Sequence, residues 1–510
     1  MNDATHGDEV FVLSGTYNEQ VRIAPPEGNP PEFTLTLRAD NQSGAAPVTV
    51  RHNATTRDPE NRDAVFEIYN DYKNLSGADR PETTSEDMQI TIEGFEIIGE
   101  GWAAAISVWH RWYDLEQRYV TGLFIRDNYL ETGGNHWATL PIGLKGAGQY
   151  GLRNQQLKWG EITNNEIVAF GIDPQTDGIS THHFVGRIAN NRISGNSEGI
   201  HLGYARLDPE RHEQEPYVVN ELVLNYEDTI IEHNLLYCHQ RQNGIHFVHA
   251  SKGIVRNNLV VRNVRSGVDQ FGKPLVARGI HVGEPPNPNL VPQIQECIDD
   301  PDECYDQAAV GDDVFGVQVT VHNNTIEHID GPGLFVHELA EAVIRNNIVH
   351  KTALDGSGFA GIEIQQWDPG DWPPLQFWDS NYNLLHANGR DYEDEDVLAG
   401  DYDLHDNSGK PNAPRFQFIV NQGAGTDSVS FMLKTYQGVS PCYPLTVSSR
   451  SDAIDKGEPG ITWYDAEGGP GLEDRRADIG AYGGPNNFWD PNEQDPCLEY
   501  LEGVGQCVPQ

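Results

Sequence analysis

A short phrase returns along the middle of this 510-residue chain. In each copy a glycine or alanine is followed by an apolar, a variable and a second apolar residue. The copies are Ala105-Ile106-Ser107-Val108, Gly143-Leu144-Lys145, Gly178-Ile179-Ser180, Gly199-Ile200-His201-Leu202, Gly244-Ile245-His246-Phe247, Gly279-Ile280-His281-Val282, Gly333-Leu334-Phe335-Val336 and Gly361-Ile362-Glu363-Ile364. Successive side chains of a strand point to opposite faces, so each copy predicts a strand with one buried face.

A second phrase, apolar-x-x-Asn-x-apolar, alternates with the first. Its asparagines are Asn128, Asn165, Asn191, Asn234, Asn258, Asn324 and Asn347. The closest spacings fall in the low to mid twenties, which is the period of a solenoid coil. A unit this short cannot bury its apolar face alone, so neighbouring coils must stack. We expect each asparagine to occupy a left-handed bend and to hydrogen-bond along the stack.

The two phrases together resemble the right-handed parallel β-helix proteins of the pectate-lyase type, over residues 8–390. Leucine-rich and helical solenoids are excluded, because Ile, Val, Asn and Gly dominate the repeat and no helical period is present. The predicted fold class is therefore all-β, a right-handed parallel β-helix over residues 1–395. Residues 396–510 are predicted to form an irregular C-terminal capping region. This fold hosts lyases, hydrolases, epimerases and binding proteins, so it does not define an activity.

The net charge of the chain limits the kinds of partner that it is expected to bind. Lys and Arg number 34 against 77 Asp and Glu, a formal charge of -43. Nucleic acid is therefore not an expected partner, since phosphate binding needs the opposite balance. An acidic surface fits either a salt-rich (halophilic) habitat or a soluble secreted protein. No apolar stretch reaches the length of a membrane span.

The expected location is secreted. No signal peptide is visible before the first coil, which begins near Asp8, so we expect a mature or trimmed form. Cys297 with Cys304, and Cys497 with Cys507, are spaced to close small loops, which predicts two disulfides and an oxidising compartment.

One outward face of the predicted stack collects basic residues. The position two after the glycine includes Lys145, His201, His246 and His281, and the position before the glycine reads Asp177, Glu198, Asn243 and Arg278. Two residues further along the strand lie Trp109 and His182. A basic strip that crosses several coils of an acidic protein predicts a long linear anion as ligand. Nearby tryptophans suit sugar rings, so the predicted partner is an acidic polysaccharide.

Chemistry on a uronate begins with removal of the proton next to the carboxylate, which needs a base and a cation that holds the carboxylate. We assign His182 as the base. Lys145 and Arg278 are assigned to the carboxylate, and Glu198 and His201 to proton handling or orientation.

The remaining candidate residues adjoin the same columns. Asp177 is a further candidate catalytic carboxylate. His246, His281, Trp109 and Tyr204 are predicted to bind substrate.

A local resemblance supports this chemistry. Gly178-Ile179-Ser180-Thr181-His182-His183 occupies the register of the Gly-Phe-Asp-Pro-His motif of mannuronan C5-epimerases, with Ser180-Thr181 in place of Asp-Pro. Glu198 matches an acid that follows one coil later in that family. The resemblance implies proton abstraction at C5, leading to β-elimination (a lyase) or to epimerisation.

Two alternatives remain open. Gln175-Thr176-Asp177-Gly178 resembles a segment of polygalacturonase-type glycosidases, in which Asp177 with Asp173 or Glu198 would supply the acid and base. The paired Asp-Asp and the Arg-Ile-Lys of that family are absent from this chain. A non-catalytic polysaccharide-binding protein or adhesin would use the same face for recognition only.

No metal site is predicted from the cysteines, which lack paired Cys-x-x-Cys spacing. Calcium is an alternative cofactor for a lyase, with Asp177, Glu198 and Asp269 as oxygen ligands. The stacked histidines offer a second alternative, a transition-metal ion.

Overall fold

The protein is described from a computed structural model, which defines the backbone in 27 ranges or single positions. They are residues 5–26, 31–40, 46–54, 64–69, 87–101, 103–109, 120–132, 142–145, 160–169, 177–182, 184, 186–195, 198–203, 229–237, 243–248, 252–261, 263, 276–283, 317–337, 340–353, 359–364, 378–381, 383–386, 388, 404–405, 416–418 and 429–431. These residues contain strands and no helix. None of them forms a helix that could cross a membrane.

Successive strands follow one another around each coil. In chain order the first eighteen are β1 (Asp8–Val12), β2 (Gly15–Asn18), β3 (Val21–Ile23), β4 (Glu32–Ala39), β5 (Val48–Ala54), β6 (Ala64–Tyr69), β7 (Asp87–Glu93), β8 (Glu96–Gly101), β9 (Ala104–Trp109), β10 (Val120–Arg126), β11 (Tyr129–Thr132), β12 (Ile142–Lys145), β13 (Gly160–Thr163), β14 (Glu166–Ala169), β15 (Asp177–His182), β16 (Gly186–Ala189), β17 (Arg192–Ser194) and β18 (Glu198–Gly203). The others are β19 (Thr229–Glu232), β20 (Leu235–Tyr237), β21 (Asn243–Phe247), β22 (Lys252–Arg256), β23 (Leu259–Val261), β24 (Arg278–Val282), β25 (Gln318–His322), β26 (Thr325–Ile329), β27 (Leu334–Val336), β28 (Glu341–Arg345), β29 (Ile348–Thr352), β30 (Ile362–Ile364), β31 (Trp378–Asn381), β32 (Leu384–His386), β33 (Leu404–His405), β34 (Phe416–Phe418) and β35 (Val429–Phe431).

Every third strand pairs in parallel, which produces three long sheets. The first sheet runs β1-β4-β7 and onwards to β31, the second β2-β5-β8 to β32, and the third β3-β6-β9 to β30. The short strand β33 pairs with β32 at the end of the second sheet. Each turn of the chain therefore adds one strand to each sheet. This is a right-handed parallel β-helix, as the repeats predict. β34 and β35 pair separately from the three sheets.

The core lies between the three sheets and consists of stacked apolar side chains. Ile125, Ile162, Ile188, Ile231 and Val255 are fully buried and stand at one level of the first sheet. Because each coil contributes equivalent residues to this stack, the core is continuous along the axis.

Steric crowding explains why glycine recurs near the start of strands in the third sheet. A Cβ on Gly244 would lie 2.5 Å from Val260 Cγ1 and 2.6 Å from the carbonyl oxygen of Gly279. A Cβ on Gly279 would lie 2.4 Å from the carbonyl oxygen of Gly333. Both gaps are too small for a side chain, so glycine permits close approach of neighbouring coils here.

The predicted asparagine ladder is confirmed. Asn191 shows its geometry: its Oδ1 accepts hydrogen bonds from the backbone N–H and the Nδ2 of Asn165, both at 3.0 Å. Its own N–H and Nδ2 donate in turn to Asn234 Oδ1 at 3.0 Å, and Nδ2 also donates to the Ile162 carbonyl at 2.8 Å. The same pattern links Asn128, Asn165, Asn191, Asn234, Asn258, Asn324, Asn347 and Asn383.

Two details of the ladder differ from the sequence prediction. In seven coils the left-handed residue is the one before the ladder asparagine, with φ of 55° to 57° at Asp127, Asn164, Asn190, His233, Asn257, Asn323 and Asn346. This bend turns the backbone so that the next side chain enters the interior. The ladder also extends to Asn383, which the phrase missed because Ser380 replaces the apolar residue. Asn383 Nδ2 donates to Ser380 Oγ at 3.1 Å.

Long connections leave from the ends of strands in the third sheet. β12 ends at Lys145 before β13 begins at Gly160, β18 ends at Gly203 before β19 at Thr229, and β24 ends at Val282 before β25 at Gln318. The intervening residues 146–159, 204–228 and 284–316 lie outside the described residues. So do both predicted disulfides and most of the predicted capping region, 396–510, whose boundary with the β-helix stays a prediction.

His322 on the first sheet should make stability depend on pH. Its side chain is buried, its Nδ1 lies 3.0 Å from Asn323 Oδ1, and its strand neighbours are Arg256 and Arg345. Burial lowers the pKa of His322 to about 4, Arg256 lowers it further, and Asn323 and Glu232 oppose the shift.

Between pH 6.5 and 4, His322 is protonated in the unfolded chain but stays neutral in the folded protein. The free energy of unfolding therefore falls as the pH drops through this window. The full effect is about 3 kcal/mol in the free energy of unfolding, reached near pH 4. His322→Gln should remove this pH-dependent loss. On going from pH 7 to pH 4, the variant should therefore lose up to about 3 kcal/mol less of its free energy of unfolding than the parent protein does. Denaturant titrations at both pH values measure it, with exposed His6→Gln as control. An unchanged difference between parent and variant would show that His322 is not buried neutral.

Candidate active site on the third sheet

The outer face of the third sheet carries the predicted columns. Strand pairing sets Ser180, His201, His246, His281, Phe335 and Glu363 at one level. Asp177 is level with Glu198, and Asn243 with Arg278. Neighbouring strands are about 4.8 Å apart, so these residues form two adjacent rows along the axis.

Lys145 occupies a different row from the one the glycine alignment predicts. Aligning Gly143 with Gly178 would set Lys145 beside Ser180, whereas Gly143 pairs with Ser107 and with Ser180. Lys145 pairs with Trp109. Ile142 and Leu144 of β12 pair with the buried Ile106 and Val108 of β9, so the register differs by two residues from the glycine alignment. Because faces alternate with a period of two residues, this shift moves Lys145 along the strand without changing the alternation of faces.

This corrected register places Lys145 beside His182. Leu144 pairs with Thr181, and Lys145 and His182 each follow by one residue. Their backbones are therefore neighbours on adjacent strands. The side chains of Lys145, His182 and Trp109, and the whole of Tyr204, lie outside what the structure describes, so their assigned roles stay predictions.

Glu198 is the centre of the described site. Its side chain is only 3% exposed, yet both carboxylate oxygens face nitrogen-bearing side chains. Oε2 lies 2.6 Å from His201 Nδ1. Oε1 accepts a hydrogen bond from Asn243 Nδ2 at 2.6 Å and lies 3.1 Å from His246 Nδ1. The β18 and β21 strands thus supply one carboxylate and three partners that orient it.

Electrostatics keep Glu198 ionised. Burial alone raises the pKa of its carboxyl, but the His246 and His201 imidazoles and their hydrogen bonds outweigh burial and hold the pKa well below its usual range. A buried carboxylate that is charged and hydrogen-bonded is a fixed acceptor. His201, whose side chain is 22% exposed, is the member of this network that a ligand can reach most directly.

Arg278 lies on the next coil. Its guanidinium carbon is 4.4 Å from the centre of the Phe335 ring, a cation–π arrangement that holds the planar group in one orientation. Burial lowers the pKa of Arg278 to about 10, while Glu363 and Glu198 oppose the change. The residue is therefore still a cation at neutral pH.

Histidines form a stack between these two groups. The rings of His246 and His281 are parallel at 4.1 Å, and His281 contacts Phe335 at 5.2 Å and His337 at 5.3 Å. Burial, with His246, Arg278 and His337 nearby, holds the pKa of His281 well below its usual value, so it is neutral. His281 therefore offers a neutral aromatic face rather than a positive charge, unlike the cationic strip that the sequence predicts.

The structure brings Glu198, His201, His246, Arg278 and His281 together. Asn243, Phe335 and Glu363 also belong to the site but were not assigned roles from the sequence. Their positions in the repeat could have identified them. Asn243 lies in the same row as Glu198, while Phe335 and Glu363 lie in the same row as His201.

The fold and this face define a parallel β-helix protein with a polar, histidine-rich site on its third sheet. Neither a protein-family model nor a curated protein matches the chain. Among solved structures it is similar to one titled pectate lyase Pel9A, at 13% identity and a TM-score of 0.40, covering 95% of this chain and 89% of that one. At this level no activity is taken from the similarity.

Proposed function

We propose that this protein is an enzyme that acts on a uronate-containing polysaccharide by removing the proton at C5, as a lyase or an epimerase. The observation that carries the proposal is the 2.6 Å contact between buried Glu198 and partly exposed His201, with cationic Arg278 on the same face. These groups are the base and the carboxylate-binding cation that the reaction requires.

His201 is the proposed base. When its Nδ1–H donates to the Glu198 carboxylate, the neutral ring carries its lone pair on Nε2, which can accept a proton. Glu198 then stabilises the imidazolium that forms. Asn243 and His246 hold Glu198 in place through Oε1. His182, with Lys145 on the neighbouring strand, is the alternative base that the sequence indicates.

Arg278 is proposed to bind the uronate carboxylate. Removing the C5 proton moves negative charge onto that carboxylate, so a cation positioned there lowers the barrier. A guanidinium held against Phe335 presents its N–H groups in a fixed plane, which suits a two-oxygen acceptor. The two rows of polar side chains run parallel to the axis, which suits a linear polymer.

The proposed polymer and the protein both carry negative net charge. A protein of formal charge -43 repels polyanions in general, so the site must attract its ligand locally. We propose an extracellular setting, where such polymers occur, and a salt-rich one would screen the repulsion. Calcium, with Asp177, Glu198 and Asp269 as its oxygen ligands, stays an untested alternative for the lyase, and Asp269 lies outside the described residues.

The glycosidase alternative is less well supported. A glycosidase needs one carboxylic acid that is protonated at working pH. Glu198 is held ionised, and its oxygens already face His201, Asn243 and His246. It is therefore poorly suited to donate a proton to a leaving sugar.

Incubation with alginate, polygalacturonate and other uronans, in high and low salt, tests the proposal. Unsaturated uronate detected by ultraviolet absorbance would identify a lyase, and exchange of the C5 proton without elimination would identify an epimerase. Release of reducing ends without unsaturation would instead identify a hydrolase. Binding with neither bond cleavage nor exchange would identify a non-catalytic binding protein, and either result would contradict the proposal.

Arg278→Ala should lower kcat/KM on the active polymer by about 10- to 1,000-fold, because one preorganised cation is lost from the transition state. Arg278→Lys should recover part of the loss, since it keeps the charge but not the planar donor pair. Arg192→Ala, on the second sheet, is the matched control and should leave kcat/KM unchanged. If Arg278→Ala folds normally and retains full kcat/KM, Arg278 does not bind the uronate carboxylate.

A further inference from the structure

Glu198, His201 and His246 form a compact set of metal-ligating atoms. One carboxylate oxygen and one ring nitrogen of each histidine lie within 4.8 Å of one another. Among the described residues this is the one group of three such side chains that meets this condition. Two strands of adjacent coils supply them, so the backbone of the β-helix holds the donors in place.

We propose that these three side chains bind one divalent transition-metal ion, with Zn²⁺ as the type, and that the bound ion reversibly inhibits the enzyme. The binding part of the proposal stands on the geometry alone. The inhibitory part rests on the proposed function, in which His201 is the base.

The donor set selects the class of ion. Imidazole nitrogens suit Zn²⁺, Co²⁺, Ni²⁺ and Cu²⁺, whereas Ca²⁺ and Mg²⁺ prefer oxygen. Calcium takes six to eight oxygen ligands. The cluster has two nitrogens and a single carboxylate, so a borderline transition metal fits it better than calcium does.

Only small movements are needed to admit the ion. Zn²⁺ binds nitrogen and oxygen at about 2.0–2.2 Å, so tetrahedral ligand atoms are about 3.3 Å apart. The Glu198 oxygens are 2.6 Å and 3.1 Å from the Nδ1 atoms of His201 and His246. The hydrogen bond from Asn243 to Oε1, at 2.6 Å, would orient the carboxylate ligand as outer-shell partners do. His201, 22% exposed, provides the path of entry.

The bound ion would inhibit the enzyme by changing the tautomer of His201. The metal takes the Nδ1 lone pair of neutral His201, so the ring proton moves from Nδ1 to Nε2. No net proton is released from a neutral ring. With Nε2 protonated and Nδ1 coordinated, His201 can no longer accept the proton from C5. Removing the ion restores the Nδ1–H tautomer and the base.

Binding is tested with the metal alone, without any polysaccharide. The purified full chain, freed of metal with a chelator, is titrated with ZnCl₂ by calorimetry and with CoCl₂ by visible absorbance. We expect one tight site, nitrogen-ligand Co²⁺ bands that Zn²⁺ displaces, and a rise in melting temperature with Zn²⁺. Absence of a stoichiometric site, or Ca²⁺ binding there as tightly as Zn²⁺, would overturn the proposal.

Variants locate the site. Glu198→Gln, His201→Ala and His246→Ala should each weaken Zn²⁺ binding by at least about 10-fold. His337→Ala removes a histidine from the same face outside the trio, and His6→Ala removes an exposed one, so both should keep the parent affinity. If one of the three ligand variants does not fold, the Co²⁺ spectrum of another of them shows whether these side chains bind the ion. Equal affinity in parent and folded trio variants would overturn the assignment.

Activity is measured separately. On an active polymer, Zn²⁺ should reduce turnover at the concentration that fills the site, and a chelator should restore it. Site filling with unchanged or increased turnover would overturn the inhibitory part. If no uronan is turned over at all, the proposed function is wrong. The metal-binding proposal is then judged from the titrations alone, because they contain no polysaccharide.

Discussion

His201→Ala should lower kcat by about 100- to 10,000-fold, the usual contribution of a positioned general base. The substitution removes the imidazole that Glu198 orients at 2.6 Å, while Arg278 and the rest of the face stay in place. Substrate should therefore still bind, with KM changed much less than kcat. Steady-state rates of unsaturated-uronate formation, or of C5-proton exchange for an epimerase, measure the loss.

Two further variants make this result specific. His6→Ala, at an exposed position in the first turn, should leave kcat unchanged. Glu198→Gln keeps the size of the side chain but removes the charge that stabilises the His201 imidazolium, so kcat should fall there too. If His201→Ala retains kcat while His182→Ala abolishes it, the base is His182 and the assignment of His201 is wrong.

Asn191→Ala should destabilise the β-helix by roughly 3 kcal/mol or more in the free energy of unfolding. The substitution leaves the N–H and the Nδ2 of Asn165 without their acceptor and the Ile162 carbonyl without its donor. Asn191 is buried within a continuous stack, so water cannot replace these bonds. Thermal or denaturant unfolding followed by circular dichroism measures the effect.

The adjacent residue provides the control. Asn190 is exposed and has a φ of 56°, a conformation that glycine adopts without strain. Asn190→Gly should therefore change stability far less than Asn191→Ala. Comparable losses at both positions would mean that the bend, and not the buried ladder, carries the stability.

Much of the architecture could be predicted from local pattern. Alternation of apolar and polar residues predicted the strands, and the recurring asparagines predicted the stacking, because both signals repeat within each coil. The two-residue error in the register of Lys145 shows where this reasoning ends. The glycine of β12 resembled the others, but pairing is decided by which side chains fit the core, and Ile142 and Leu144 match the core positions of β9.

The site depended on more than pattern. Glu198 and His201 are three residues apart, and their residue types and outward positions could be predicted together. Asn243 reaches Glu198 across 45 residues, and its 2.6 Å hydrogen bond depends on the pairing of β18 with β21, two strands that are far apart in the sequence. The neutral state of His281 likewise results from burial and from the charges of neighbouring coils.

The sequence by itself determined the β-helix, its ladder and the face on which chemistry-bearing residues collect, because hydrophobic periodicity and turn chemistry are properties of each coil. Only the tertiary structure decided which of those residues touch, which are charged and which stack. Those properties depend on contacts between coils: on the strand register, on burial, and on the electrostatic potential of neighbouring residues that are distant in the chain.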